Sequence, residues 1–240
     1  MKDFATRWRE RLLPLLLGML LAGGAGAATH VLVDREGGVA EVAISPVPQH
    51  LEVRRLQALV AKHVDARLAR IDLELLRAEI EALDWVASAA VRRSWPDRLE
   101  IDLVEHEPRA RLGDGRFLTA AGEVVALDGV PDAEALPRLD VAPAHAETAL
   151  AAFETLREGL AGTRLTPEAI ARDARGSWTL IDRRGAAFRL GKGAPEAHLE
   201  RLRDAVVPAL GARIARVAYV DMRYGNGFAV GWDDSAEGSE

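Results

Sequence analysis

The longest uncharged stretch of the chain lies near its N-terminus and is strongly apolar. It covers residues 12–28 and continues without a charge to residue 33. At a rise of about 1.5 Å per residue, a helix over 12–33 would span a hydrocarbon core of about 30 Å. Three arginines in residues 1–11 precede it, so the positive-inside rule places that segment in the cytoplasm. The pattern predicts a single transmembrane helix over residues 12–33, with the body of the protein outside.

The same stretch also fits a cleaved signal peptide. Ala25, Gly26 and Ala27 have the small-x-small pattern of a cleavage site, and Pro14 with several glycines lowers the helix propensity. On these residues alone, anchor and signal peptide both remain open. Either interpretation exports the chain from Asp34 onward.

Beyond this stretch, the spacing of apolar residues predicts a first folded domain. A strand at 42–44 is followed by two helices, the second capped by Asp72, and then by strands at 85–91 and 99–104 that flank a turn at 95–97. The helical stripes are Leu56, Leu59, Val60 and Val64, then Leu73, Leu76, Ile80 and Leu83. The order β-α-α-β-β predicts an α+β domain over residues 40–108, in which two helices cover one face of a three-stranded sheet.

Residues 109–232 predict a β-rich domain with two helices. The helices are expected over 144–160 and from Pro195 to Leu210, each followed by a glycine. The strands are expected at 116–119, 123–127, 136–139, 169–174, 178–181, 187–190, 216–224 and 228–232. Residues 233–240 are short and acidic, and we predict a disordered tail there.

Composition argues against several classes of function. The formal net charge is −6 and the exported part is acidic, which disfavours nucleic acid as a partner. The chain has no cysteine, so disulfides, thiolate metal sites and a thiol nucleophile are excluded. Its six histidines lack the spacing of a metal site, and the sequence contains neither a zinc-protease motif nor a serine elbow. We therefore predict no enzyme activity, no cofactor and no metal.

Two short motifs resemble reactive sites but fit structural roles better. In Glu105-His106-Glu107 the histidine of an extended chain faces away from both carboxylates, so a shared site is not expected. Gly191-Lys192-Gly193 lacks the first glycine and the Ser/Thr of a phosphate loop, and predicts a turn before the second helix.

Several runs of residues resemble the FtsQ/DivIB family of bacterial division proteins. The run from Trp95 to Ala110 is similar to the FtsQ-type POTRA domain, in which Trp-Pro precedes an alternating strand and a Glu-x-x-Pro-x-Ala end. Residues 175–178 and 190–193 resemble parts of the FtsQ β-domain, and residues 219–232 carry the most specific likeness. The resemblance covers residues 42–232.

The resemblance implies a function as well as a fold. It implies that residues 12–33 are kept as an inner-membrane anchor, that the body lies in the periplasm at the division septum, and that the POTRA domain contacts other membrane division proteins. It also implies that the C-terminal region binds the periplasmic parts of FtsB and FtsL and so links early and late division proteins. By motif match, the residues expected to bind the partner are Arg175, Tyr224, Gly231 and Trp232, with Arg223, Asn226 and Phe228 nearby.

With no enzyme site, function is expected on surfaces, and the last strand is a candidate sheet edge that could pair with a partner strand. Arg175 is expected to bond an acidic partner residue, with a local salt bridge as the alternative. Trp232 is expected either to contact the partner or to pack in the core. Two other classes remain open. One is a secreted POTRA chaperone or assembly factor with a cleaved signal, and the other is a cell-wall hydrolase, for which we find no catalytic constellation.

Overall fold

The computed structural model describes residues 29–32, 41–63 and 70–233. Within them the chain forms two compact units, one ending at Glu105 and the other beginning at His106. The predicted cytoplasmic segment 1–11, most of the predicted transmembrane helix, Val64 and the tail after Asp233 lie outside the described residues.

The first unit combines a sheet with two helices. In its described part the strand order is β1-β2-β4-β3, with β2 parallel to β4 and the other neighbours antiparallel. The strands are β1 (Thr29–Leu32), β2 (Glu41–Ser45), β3 (Val86–Ser94) and β4 (Arg98–Glu105), and the helices are α1 (Val53–His63) and α2 (Leu73–Glu81). The predicted α+β class is confirmed, and the order β-α-α-β-β is found from Glu41 to Glu105. The predicted three-stranded sheet has β1 as a fourth strand, paired with β2.

Alternation along β4 explains why this sheet forms. Leu99, Ile101 and Leu103 are buried, whereas the residues between them are not. An extended chain places alternate side chains on opposite faces, so one face of β4 contributes to the core and the other carries polar groups. Asp72 caps α2 as predicted, because its Oδ1 accepts a hydrogen bond from the Leu75 N–H at 3.1 Å.

The predicted transmembrane helix is wrong at its C-terminal end. Residues Thr29–Leu32 form a strand whose register pairs Thr29 with Ile44 and Leu32 with Glu41. Pairing with β2 satisfies backbone groups that a helix would bond internally.

No helix within residues 29–32, 41–63 and 70–233 combines the length and the apolar character needed to cross a bilayer.

Glu105 fastens a loop of the first unit. Its carboxylate accepts hydrogen bonds from the N–H groups of Gln49 at 2.8 Å, His50 at 3.0 Å and Leu51 at 2.7 Å. The His50 ring also stacks on Trp85 at 4.4 Å. Burial would raise the pKa of the Glu105 carboxyl, but the three N–H donors and His50 outweigh it and hold that pKa below its usual value.

The second unit is built on a long mixed sheet. Among the described residues its order is β13-β12-β11-β10-β9-β8-β5-β6-β7. The strands are β5 (Pro108–Leu112), β6 (Phe117–Thr119), β7 (Val124–Val125), β8 (Arg138–Asp140), β9 (Pro167–Arg172), β10 (Trp178–Asp182), β11 (Ala187–Gly191), β12 (Val217–Asp221) and β13 (Ala229–Trp232). The predicted β-rich architecture is confirmed, although the strand expected at 123–127 is reduced to two residues.

The two longest helical segments among the described residues of this unit contribute to its core. The first is α3 (Ala146–Gly159), which buries Phe153 and Leu156. The second, which we call the segmented helix, covers residues 195–210 and buries Leu202, Val206 and Leu210. It consists of a 3₁₀ turn (Pro195–His198), an α turn (Leu199–Arg201), a π turn (Leu202–Val206) and a final α turn (Val207–Leu210).

The π turn is explained by Pro208. Proline has no N–H to offer the carbonyl of Asp204, and its ring crowds that carbonyl. Asp204 lies within the widened turn Leu202–Val206. A π turn inside an α-helix is a usual way to accommodate the backbone hydrogen bond that a proline cannot make.

Replacing Glu105 with Gln should weaken the first unit. A neutral amide oxygen accepts the three N–H bonds less strongly than a carboxylate, so we expect the free energy of unfolding to fall by about 1–3 kcal/mol at pH 7. Because the folded pKa of Glu105 is lowered, its stabilising effect is present above the unfolded pKa near 4.5 and is lost as the pH falls through the folded value. Hydrogen exchange of first-unit amides across this pH range measures the effect.

Glu107→Gln is the matched control, because the Glu107 side chain is 71% exposed and its nearest cation, on Arg109, is 3.9 Å away. It should leave exchange unchanged at every pH. Equal effects of the two substitutions, or a Glu105 effect that persists undiminished in acid, would contradict this role.

Candidate functional site

The last two strands form a hairpin at one end of the long sheet. We call β12, the loop 222–228 and β13 the C-terminal hairpin. β12 pairs in parallel with β11, with Phe188 opposite Val220, and antiparallel with β13, with Val220 opposite Val230. Within the described residues β13 has a strand neighbour on one side only, so its other side presents backbone groups for pairing.

A basic depression lies beside this hairpin. Its volume is about 600 Å³. It is lined by Asp173, Arg175, Ser177, Leu190, Gly191, Lys192, His198, Arg201, Met222, Arg223, Tyr224 and Gly225. The structure thus brings together three of the predicted residues, Arg175, Arg223 and Tyr224. Asn226, Phe228, Gly231 and Trp232 are not part of this lining.

Arg175 sits at the tip of the turn between β9 and β10. The Asp173 carboxylate shapes that turn by accepting the N–H of Ser177 at 2.8 Å and of Arg175 at 2.9 Å. The bond from Ser177, followed by that from Arg175, lowers the pKa of Asp173. The Arg175 guanidinium makes no ion pair within the described part of the chain, so the alternative of a local salt bridge is not what the structure shows.

Arg223, in the loop that follows β12, is held by the last residue of that strand. Its Nε lies 2.8 Å and 3.1 Å from the two carboxylate oxygens of buried Asp221, and its Nη2 also bonds Asp221. The hydrogen bonds from Arg223 outweigh burial and lower the pKa of Asp221. Arg223 therefore has a fixed position while its side chain remains about half exposed.

Tyr224 and Asn226 lie on the exposed loop of the hairpin, and the Tyr224 side chain is 60% exposed. The loop carbonyls accept hydrogen bonds from Arg201 of the segmented helix. Sequence reasoning missed Arg201. The only available signal was its place in a Leu/Arg-rich helix, and nothing in that pattern distinguishes it from the neighbouring arginines.

The apolar residues at 228–232 differ in how far they are buried. Phe228 and Val230 pack against the core of the second unit and are only partly exposed. Trp232 is 39% exposed, and the Arg213 guanidinium lies 5.4 Å from its ring. The shared face of Phe228, Val230 and Trp232 therefore belongs to the core side of the sheet, with Trp232 at its rim.

Gly231 makes room for an aromatic side chain on the other face. A β-carbon at Gly231 would lie 2.2 Å from Cε1 of Tyr219, which is its cross-strand partner. The Arg189 guanidinium covers the same ring at 4.2 Å from its centre. Gly231 thus lets Tyr219 lie across β13, an arrangement in which an aromatic ring shields a strand glycine.

Among the residues that the structure describes, no group of three or more His, Asp or Glu side chains is placed to hold a metal ion.

Comparison with known proteins identifies the family. Residues 38–106 match the POTRA domain, FtsQ-type, and residues 109–223 match the C-terminal region of cell division protein FtsQ/DivIB. The cell division protein FtsQ of Xanthomonas campestris is 32% identical over 192 residues, which are 80% of this chain and 69% of that protein. The chain belongs to the FtsQ/DivIB family. The predicted resemblance is confirmed.

Other FtsQ proteins are similar at about the same level of identity. FtsQ of a Thioalkalivibrio species is 30% identical over 232 residues, covering 94% of this chain and 95% of that protein. FtsQ of Escherichia coli is 32% identical over 167 residues, covering 67% and 60%. These FtsQ/DivIB relatives establish a role in cell division. The two matched regions meet close to the boundary between the two compact units.

Gly231→Ala should destabilise the C-terminal hairpin. The new methyl group overlaps the Tyr219 ring, so the ring or the strand must shift, and we expect a loss of about 1–3 kcal/mol in the free energy of unfolding. Gly225→Ala is the control, since a β-carbon there meets nothing within 4 Å; it should change stability by less than about 0.5 kcal/mol. Denaturant unfolding measures both.

Adding Tyr219→Ala to the Gly231→Ala variant should remove the overlap, so the two substitutions should not be additive. If the losses in the free energy of unfolding were fully additive, Gly231 would not be needed to make room for the Tyr219 ring.

Proposed function

We propose that this FtsQ/DivIB chain is a non-catalytic scaffold of bacterial division, anchored in the inner membrane with its body in the periplasm. Its C-terminal hairpin receives the periplasmic regions of FtsB and FtsL and so links early and late division proteins in the control of septal peptidoglycan synthesis. The observation that carries the proposal is the position of β13 at the edge of the described sheet, beside a basic depression lined by Arg175, Arg223 and Tyr224.

An edge strand suits this task because main-chain hydrogen bonds can extend the sheet into the partner, while neighbouring side chains choose the partner. β13 offers its outer side for such pairing. Exposed Tyr224 at the start of the hairpin loop supplies a residue type that often anchors interfaces.

Charge supports an acidic partner segment. Residues 160–232, which contain β9–β13, carry twelve basic and seven acidic residues, although the whole chain has a net charge of −6. Residues 106–159, which contain the opposite half of the sheet, carry five basic and ten acidic residues. Complementary charge speeds association and selects among partners. Arg175, exposed and without an internal carboxylate partner among the described residues, is the best placed to bond such a segment.

The first unit has a separate task in this proposal. As an FtsQ-type POTRA domain, it contacts other membrane proteins of the division machinery, and residues upstream of it hold the chain in the membrane. Basic residues before the apolar stretch 12–28 support this orientation.

Arg175→Glu and Tyr224→Ala test the proposal directly. Both side chains are exposed, so each variant should fold as the parent does. We expect each to raise the Kd for the co-purified periplasmic regions of FtsB and FtsL at least about thirtyfold, the scale of an interface hot spot. Biolayer interferometry with full-length chain gives the Kd, and the loss for Arg175→Glu should shrink as salt increases.

Arg183→Glu is the matched control, because it makes the same charge change on an exposed arginine in the turn between β10 and β11. It should alter the Kd less than about threefold. Equal losses for Arg175→Glu and Arg183→Glu would show a general charge effect and contradict a specific site. No measurable binding by the parent chain would reject FtsB and FtsL as partners.

A further inference from the structure

Arg201 ties the segmented helix to the C-terminal hairpin. Its Nη1 donates to the Met222 carbonyl at 3.1 Å, and its Nη2 donates to the carbonyls of Tyr224 at 2.8 Å and Gly227 at 2.5 Å. One side chain thus holds three points of a loop that lies more than twenty residues further along the chain.

The loop 222–228 depends on these hydrogen bonds because its own sequence does little to restrict its conformation. Gly225, Asn226 and Gly227 are all exposed. Neither glycine adopts the left-handed backbone that would require glycine, and a β-carbon at either would meet nothing within 4 Å. Glycine at these positions therefore adds backbone freedom without serving a steric need.

The position of this loop matters for the edge strand. It joins the end of β12 to the start of β13 and carries Tyr224, so a loop that moves would vary both the presentation of Tyr224 and the point where β13 begins. A partner that adds a strand binds only molecules whose loop is ordered. Its apparent affinity is therefore the intrinsic affinity multiplied by the fraction of molecules in that form.

We propose that Arg201 is a positioning residue that keeps the C-terminal hairpin in the form that receives a partner strand. Arginine suits this role, because its planar guanidinium has five N–H donors and can serve several carbonyls at once, whereas a lysine ammonium is a single point. This inference rests on the proposed function. Beyond that function, it makes affinity for the partner depend on Arg201, whose N–H donors bond backbone carbonyls of this chain.

The test compares Arg201→Met, Arg201→Lys and the control Arg203→Met in the full-length chain. Arg203 lies on the same helix, is about half exposed and pairs only with its neighbour Asp204 in the described structure, so its loss removes the same charge from outside the depression. The probe is the purified pair of FtsB and FtsL periplasmic regions.

We expect Arg201→Met to raise the Kd about tenfold or more, Arg201→Lys to lie between it and the parent, and Arg203→Met to match the parent within about twofold. Amides of residues 225–228 in the free chain should exchange hydrogen faster in Arg201→Met, to a smaller extent in Arg201→Lys, and as in the parent in Arg203→Met, while exchange in the strands of the first unit stays unchanged in all three. The loop readout separates local ordering from general loss of the fold.

Rescue provides the sharper readout. Gly225→Ala and Gly227→Ala fit without a steric conflict and reduce backbone freedom, so each should recover about twofold to fivefold of the affinity lost in Arg201→Met. If Arg201 contacted the partner directly, a stiffer loop would not restore the affinity lost in Arg201→Met.

The outcomes are distinguishable. If the parent binds the pair but Arg201→Met binds equally well, or if it binds weakly with no faster exchange at 225–228 and no rescue, the positioning role is wrong and the receiving site stands. If the parent does not bind the pair, the proposed function itself fails.

Discussion

The parallel pairing of β11 with β12 fixes the position of the segmented helix and the C-terminal hairpin at the proposed receiving edge. Parallel neighbours cannot be joined by a tight turn, so the chain between Gly191 and Val217 must cross over the sheet. The segmented helix makes this crossing and is held by Leu202, Val206 and Leu210 in the core. Because the crossing is anchored there, Arg201 stands beside the hairpin that follows. The same pairing places β13 at the end of the described sheet, where its outer side has no neighbouring strand.

The hairpin divides its roles among different residues. Phe228 and Val230 attach β13 to the core, and Gly231 admits the Tyr219 ring on the opposite face. These contacts hold the strand without using its outer backbone edge. Exposed groups such as Tyr224 therefore remain available beside that edge, and the surrounding half of the sheet is basic although the chain as a whole is acidic. An open edge, exposed anchors and local charge together favour an acidic partner segment that adds a strand.

The sequence predicted most elements because each buried face repeats with the period of its own structure. Alternation at 99–104 and the cap at Asp72 are local signals, and local signals can be read directly. The strand Thr29–Leu32 was missed because its pairing with β2 depends on residues elsewhere in the chain, while the apolar stretch before it suggested a longer helix. The site was predicted by family resemblance rather than by periodicity. That resemblance could not show that Phe228 faces the core, nor that Arg201 binds backbone carbonyls, since such acceptors leave no mark in a sequence.

The most direct test of the receiving edge uses the absence of cysteine from the native chain. A single cysteine at exposed Ala229, on β13, is compared with one at exposed Ala126, just after β7 at the opposite end of the sheet. Each is mixed under mild oxidation with FtsB–FtsL pairs that carry one cysteine at successive positions of the periplasmic segment. We predict disulfides from Ala229→Cys to alternate positions of that segment, as strand pairing requires, and none from Ala126→Cys. Cross-links from Ala126→Cys alone, or from both positions without alternation, would contradict an account in which β13 receives the partner strand.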